Sequence, residues 1–247
     1  MKNLLYGLYE QRLSRSLRRG PIPCHVAVIL DGNRRWAKAI GSAPSEGHRA
    51  GANRITDFLD WSEEVGVKVV TLWMLSTDNL ARDPDELAQL LEIITASVEQ
   101  LATQGRWEVR VVGDLSLVPD KFAKRLQAAT GGSGMVVNVA VGYGGRQEVV
   151  EAVRSLLRDA AEDGKSVDDI AESLSDEDIA EHLYTRGLPD PDLVIRTSGE
   201  QRLSGFMIWQ SAHSEFYFCD AYWPDFRRVD FLRALRSYTQ RTRRRGL

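Results

Sequence analysis

The sequence predicts an α/β fold, a single domain with a mostly parallel central sheet of about six strands wrapped by helices. Short apolar runs alternate with longer stretches of helical periodicity along all 247 residues. The apolar runs are continuous, as in strands covered on both faces. Each run also ends abruptly in polar residues, as expected of parallel strands whose carboxyl ends share one rim.

A helix from about Asn3 to Arg18 forms an N-terminal arm over residues 1–22, stopped by Pro21 and Pro23. The main domain, residues 23–247, opens with the strand Val26 to Leu30. Asp31-Gly32-Asn33 is turn chemistry, and Arg34 to Ile40 continues as a short helix closed by Gly41. A helix from about Glu46 to Val65 places Ile55, Phe58 and Leu59 on one side, and Val67 to Leu75 is the next strand. Asp83-Pro84-Asp85-Glu86 starts a helix to about Thr103, with an Asp cap, Pro at the first position and Glu three after the cap. Trp107 to Val112 is a strand, Pro119 to Ala129 a helix, and Met135 to Val141 a strand. The helix from Arg146 to about Ala161 packs Val149, Val150, Val153, Leu156 and Leu157. Ser175-Asp176-Glu177-Asp178 has capping-box form for a helix ending near Tyr184. Leu193 to Ile195 is a strand, Phe206–Trp209 and Phe216–Phe218 are short apolar runs, and Val229 to Arg243 is a basic helix.

A chain that is 43% hydrophobic and 27% charged is long enough for one sizeable core. A net charge of −3 argues against wholesale nucleic-acid binding. Cys24 and Cys219 form no CxxC pair and read as buried free thiols of a reducing cytosol. No run approaches the roughly 18 apolar residues of a membrane span, and the N-terminus lacks the form of a signal peptide. A cytoplasmic location follows as an expectation. The basic N-terminal helix would dock on the domain or touch a membrane surface.

The strand ends carry Asp31-Gly32-Asn33-Arg34-Arg35, Ser76-Thr77-Asp78-Asn79, Gly142-Tyr143-Gly144-Gly145-Arg146 and Arg196-Thr197-Ser198-Gly199-Glu200-Gln201-Arg202. Arginines, hydroxyls and glycine-freed backbone N–H groups suit phosphate oxygens. Carboxylates among them suit a hard divalent cation held between protein and phosphate, so the expectation is a phosphorylated substrate with Mg²⁺. Nucleotide signatures are absent: there is no GxxxxGK[ST], and Gly142-Tyr143-Gly144-Gly145 does not continue as GxGxxG. Asp168-Asp169-Ile170-Ala171-Glu172 reads as a solvated acidic face, and no GxSxG elbow supports a hydrolase around Ser211, His213 and Ser214.

Taken together, these motifs resemble the cis-prenyltransferases, the family of undecaprenyl diphosphate synthase and of short-chain Z-farnesyl diphosphate synthases. His25 to Trp36, Leu75 to Asn79, Gly142 to Arg146 and Asp192 to Ser204 follow in family order, with Trp209-Gln210 and Glu215 completing the last signature. The likeness runs from Pro23 to Gly246 and is greatest to the bacterial short-chain branch, by Arg34 and by Arg202-Leu203-Ser204-Gly205-Phe206. It implies condensation of isopentenyl diphosphate with an allylic diphosphate (dimethylallyl, geranyl or farnesyl) to form a new cis double bond, with Mg²⁺ as cofactor and a hydrophobic product cleft. It also implies a homodimer.

The resemblance assigns roles residue by residue. Asp31 is the carboxylate that holds Mg²⁺, and Asn33 and His48 lie near the reacting carbon and the leaving group. Gly32, Arg34, Arg35 and Trp36 belong to the allylic diphosphate loop, and Asn79 and Arg82 shape the cleft. Arg196, Arg202 and Ser204 match the isopentenyl diphosphate site, and Glu215 a second acidic metal ligand. Arg244 and Gly246 match a tail that reaches the partner's diphosphate site, with Phe216–Phe218, Phe231 and Leu235 as the apolar dimer face. Pro44 stands where long-chain members carry a basic residue, a contact that Arg49 could replace. Asp78 stands where Glu is usual. Trp73, Met74 and Leu75 would line the product tunnel, and a bulky Met74 in place of a small residue implies a short product of about C15. A longer-chain synthase and a non-catalytic family subunit are the alternatives; retention of Asp31 and the arginines argues against the second.

Overall fold

Val26, Ala27 and Val28 are fully buried because the strand that carries them has neighbours on both sides and cover on both faces. The computed structural model describes residues 2–17 and 20–242. The chain runs from α1 (Lys2–Leu17) through β1 (His25–Ile29), α2 (Asn33–Ala39) and α3 (Pro44–Val65) to β2 (Val69–Ser76). It continues through α4 (Pro84–Gln104), β3 (Glu108–Val112), α5 (Asp120–Ala128), β4 (Val136–Tyr143) and α6 (Gly145–Glu162). The short helices α7 (Val167–Ser173) and α8 (Asp176–Ala180) precede β5 (Leu193–Arg196), β6 (Glu215–Phe218) and α9 (Arg228–Thr242).

The six strands form one sheet in the order β3-β4-β2-β1-β5-β6, and every pairing is parallel. The expected sheet is therefore present, with β2 and β4 extending further into their polar ends than the apolar runs indicate. Capping matches the sequence at α4, where the Asp83 side chain accepts from the N–H groups of Asp85 and Glu86. Ser175 and Asp178 make the expected capping box, but its helix α8 ends at Ala180. The acidic stretch before it holds a further helix, α7, with its own capping box between Ser166 and Asp169.

One face of the sheet carries the larger core. Val26 and Val28 pack there with Ile55, Phe58 and Leu59 of α3, Leu91 and Ile94 of α4, and Phe231 and Leu235 of α9. Leu13 and Leu17 of α1 join the same core, so the N-terminal arm docks on α9 as expected. Ala27 and Ile29 point to the opposite face, into a smaller cluster with Tyr143, Phe206 and Met207. The pairing of β2 with β4 slips at Trp73/Leu75 and again before Ser76. That irregularity lets Met74 and Leu75 both face the larger core while Trp73 goes to the smaller one.

Three expectations change. Cys24 is exposed, and only Cys219 is buried. Phe231 and Leu235 are fully buried core residues and offer no dimer face. The short apolar run Phe206 to Trp209 is a set of turns that buries Phe206 and Met207. On α6 the buried positions are Gly145, Glu148, Ala152 and Ala160, while Val150 and Leu157 are exposed at 48% and 43%. Small residues let α6 lie close to its neighbours, which turns its larger apolar side chains outward.

Candidate active site

Chain direction decides where a site forms. From β1 the chain crosses to β2 on one side, and it returns later to place β5 on the other side. The loops leaving β1 and β5 therefore diverge and open a crevice at their carboxyl ends. Asp31 leaves β1 there and Arg196 ends β5, in register with Ile29.

Asp31 is gripped from several sides. Arg196 donates from one terminal nitrogen to Asp31 Oδ2 at 2.9 Å, and Arg35 donates to Oδ1 at 3.1 Å. The Thr197 hydroxyl donates to the Asp31 backbone carbonyl at 2.6 Å. Burial pushes the Asp31 carboxyl up, but the hydrogen bonds from Arg196 and Ser198 and the charges of Arg35 and Arg196 outweigh it and hold it below its ordinary range. Asp31 is thus an anion at neutral pH. Gly32 turns the chain at φ 106°; a Cβ there would meet Tyr222 Cδ1 at 2.6 Å, so both conformation and space demand glycine.

Two carboxylates hold the remaining arginines in place. Glu200 accepts from Arg35 at 3.0 Å through one oxygen and from Arg202 through the other. Glu86 on α4 lies 3.4 Å from Arg34 Nε and accepts from Arg82 at 3.2 Å. Arg196 is 5% exposed; it also donates to Ser204 Oγ at 2.9 Å and to the Arg202 carbonyl. The Arg196–Ser204 segment is backbone-strained: Ser198 has φ 78° and Ser204 φ 51°, left-handed values that cost a non-glycine residue energy.

The polar cavity in front of this cluster measures about 720 Å³ and is walled by Asp31, Arg34, Arg35, Lys38, His48 and Arg82. Its floor is Asn33 and His48, whose Oδ1 and Nε2 atoms are buried without partners. Burial pushes the His48 imidazole down to about 4, with Arg82 and Arg34 adding to the effect, so the ring is neutral at pH 7. Below the same two residues an apolar pocket of about 30 Å³ is lined by Leu30, Ile55, Met74, Leu90, Ile94 and Trp223. A cluster of cations around one carboxylate suits an anionic head, and the small apolar pocket beneath suits the first carbon atoms attached to it.

The family model described as "Putative undecaprenyl diphosphate synthase" matches residues 29–246. The (2Z,6E)-farnesyl diphosphate synthase of Thermobifida fusca is 60% identical over 98% of this chain and 97% of its own length. The chain belongs to the cis-prenyltransferase family. A (2Z,6E)-farnesyl diphosphate synthase of Mycobacterium tuberculosis is 52% identical over 100% of this chain and 97% of its own. Among solved structures, lavandulyl diphosphate synthase from Lavandula x intermedia, in complex with dimethylallyl diphosphate, superposes with a TM-score of 0.80 at 35% identity. That match covers 88% of this chain and 95% of the plant chain. The chain is accordingly a transferase with a cis-prenyltransferase fold.

On this prenyltransferase scaffold the crevice gathers Asp31, Gly32, Asn33, Arg34, Arg35, His48 and Arg82 in one cavity, with Arg196 joined directly to Asp31. Arg202 and Ser204 join through Glu200 and Arg196. Trp36 is half-buried on α2, and Asn79 closes the turn after β2 through its N–H to Ser76 Oγ at 3.1 Å. Glu215 does not meet Asp31 within one chain. It starts β6 opposite Leu193, at the amino end of the sheet, and accepts from Arg241 at 3.2 Å. Arg244 and Gly246 lie outside the described residues. Of the three tunnel candidates only Met74 lines the apolar pocket; Trp73 stacks on Phe206 at 4.9 Å and Leu75 is fully buried. Arg49 is turned to Glu46 at 2.5 Å and is not among the residues that line the cavity, whereas Lys38 shares the wall with Pro44 and the arginines.

Sequence reasoning missed Gly51 and Trp223. A Cβ on Gly51 would sit 2.4 Å from Asn33 Oδ1, and Trp223 donates to the Gly51 carbonyl at 2.7 Å. The spacing Gly47-x-x-x-Gly51 on a predicted helix is the signal that marks such a close approach.

Proposed function

We propose that this protein condenses isopentenyl diphosphate with a short allylic diphosphate to give a short Z-prenyl diphosphate of about C15, releasing diphosphate. The observation that carries the reading is Asp31 held between Arg35 and Arg196 at the mouth of a cavity whose floor opens onto an apolar pocket. In the reaction the allylic C1–O bond breaks, the C4 alkene carbon of isopentenyl diphosphate bonds to C1, and C2 loses a proton. Negative charge grows on the leaving diphosphate. Arg34, Arg35, the backbone around Gly32 and Lys38 line the cavity where that charge would develop. Arg196, Arg202 and Ser204 are the matching set for the second diphosphate. Asn33 and His48 separate this polar wall from the tail pocket and keep water from the reacting carbon.

Mg²⁺ fits the donor set in one form. Among the described residues no cluster of three or more His, Cys, Asp or Glu side chains forms a metal cage. Mg²⁺ is commonly held by one or two carboxylates plus substrate phosphates and water, and Asp31 is a carboxylate so placed. When bound it would neutralise diphosphate charge. Asp31, doubly ion-paired and acidic, is a poor proton acceptor, and neutral His48 is a weak one. The departing diphosphate is the base this arrangement favours.

The homodimer belongs to the same reading. Support comes from the outward apolar face of α6, where Val150 and Leu157 are exposed, together with Ile208 and Phe218 at 38% and 37%. The N-terminal arm is committed to α9, which leaves a membrane contact without support; no helix among the described residues is long and apolar enough to cross a membrane.

The test incubates purified protein with isopentenyl diphosphate and dimethylallyl, geranyl or farnesyl diphosphate, with and without Mg²⁺, and weighs the products. Metal-dependent condensation to about C15 is expected. Phosphate release without condensation would overturn the reading.

A further inference from the structure

Glu148 is a buried acid that the proposed reaction does not use. It is 1% exposed in the first turn of α6, and no cation is among its hydrogen-bond partners. Three donors surround it. The Tyr143 hydroxyl donates to Oε2 at 2.5 Å, and Tyr184 N–H and Gln210 Nε2 donate to Oε1 at 3.0 and 3.1 Å. Burial pushes its carboxyl above the ordinary range against the pull of those donors. A buried carboxyl without a cation is costly, so its partners must be held firmly for it to persist.

What it holds lies behind the active site. Gln210, itself 2% exposed, begins the turn that closes the segment running from Arg196 through Arg202 and Ser204. That segment carries three non-glycine residues with left-handed φ: Ser198 at 78°, Ser204 at 51° and Met207 at 45°. Such a backbone keeps its shape only where its surroundings over-determine it. Three anchors do so here. Phe206 stacks on Trp73 at 4.9 Å, Gly145 N–H donates to the Gly205 carbonyl at 2.9 Å, and Gln210 is tied to Glu148 and, at 3.0 Å, to Thr185. Two of these anchors start from the first turn of α6.

We propose that Glu148 is a positioning residue for the second substrate: through Gln210 it fixes the strained loop that presents Arg196, Arg202 and Ser204 to a diphosphate. The inference rests on the reading of that loop as the isopentenyl diphosphate site. It predicts that Glu148 acts far more on one substrate than on the other: Arg35 of α2 meets the loop at Ser198 and Glu200, at 2.7 and 3.0 Å, on the side away from Gln210, and α2 is held independently by Asp31 and by packing on α3.

Steady-state kinetics separate the outcomes. Wild-type protein is assayed first; absence of condensation would overturn the proposed function itself. If it condenses, Glu148→Leu should raise KM for isopentenyl diphosphate by about tenfold or more, with KM for the allylic partner changed less than about twofold. Gln210→Leu leaves Glu148 in place, and should show the same split even if the Glu148 variant folds poorly. Glu148→Gln keeps both Oε1 acceptor bonds and should restore most of the lost affinity. The double variant should be no worse than the poorer single one, since both cut the same link. A fall in kcat with both KM values unchanged would mean a merely structural role and overturn the positioning claim. An equal rise in both KM values would overturn it as well.

Discussion

Asp31 has its two carboxylate oxygens bound to two different arginines, Arg35 on α2 and Arg196 on β5. Holding two cations near each other is unfavourable unless an anion sits between them, and Asp31 supplies that anion before substrate arrives. Glu200 does the same for Arg35 and Arg202, and Glu86 for Arg34 and Arg82. An incoming diphosphate would exchange with the more exposed Glu200 and Glu86 pairs at modest cost, because ion pairs open to solvent contribute little. Single residues also set a pH limit. Burial lowers His25, which shares Thr71 and the Pro189 carbonyl, to about 4, as it does His48. Both lie below the unfolded value of 6.5, so the unfolded chain binds more protons between pH 6.5 and 4. Stability is complete above that window and falls as the pH drops through it, by roughly 3 kcal/mol for each ring. Urea unfolding at pH 7.5 and pH 4.5 checks this; His25→Phe should remove about half of the fall, leaving the share of His48. Met74 is the residue proposed to limit product length, since of Trp73, Met74 and Leu75 it alone lines the apolar pocket. Met74→Ala should shift the product distribution beyond C15 by mass spectrometry; an unchanged distribution would remove the blocking role.

At the scale of elements, α3 must lie against the start of α2 for Asn33 to point at the site. Glycine at position 51 makes that approach possible, and the Trp223 indole fixes it through the Gly51 carbonyl. Gly51→Ala gains about 1 kcal/mol of helix propensity but drives a methyl to 2.4 Å from Asn33 Oδ1 and 2.9 Å from Trp223 Cδ1. The clash wins, because overpacking costs about 1–3 kcal/mol and the amide must move. The expected result is a small loss of stability with about a tenfold loss of kcat; wild-type kcat would contradict it. The elements also show what sequence can reveal. The capped start of α4 at Asp83 and the strand ends at Asp31 and Arg196 are local signals, and local chemistry decides them. Helix α7 carries an equally local signal in Ser166 and Asp169, obscured by the acidic run around it.

Across the whole molecule, the sheet order brings Asp31 and Arg196 together from positions 165 residues apart. Their common rim was legible in the sequence because every parallel strand ends the same way. The position of Glu215 was not, because it depends on which end of β6 faces which neighbour, a matter of register and not of motif. Likewise α6 reads from its sequence as a helix that packs Val150 and Leu157, yet its buried side is made of Gly145, Glu148, Ala152 and Ala160. The larger side chains are left for a partner, and a second copy of the chain is the occupant proposed. Val150→Lys with Leu157→Lys should convert a dimer to a monomer by light scattering while circular dichroism stays unchanged; an unaltered mass would move the interface elsewhere.

The central claim is that the crevice between β1 and β5 is where two diphosphates meet around Asp31. Asp31→Asn is the direct probe, because it removes the charge while leaving an acceptor for the buried Arg196, whose isolation would cost about 3–5 kcal/mol. The measurement is turnover of isopentenyl and geranyl diphosphates by the folded variant. A loss of at least about a hundredfold is predicted; turnover within about threefold of the parent protein would contradict the account.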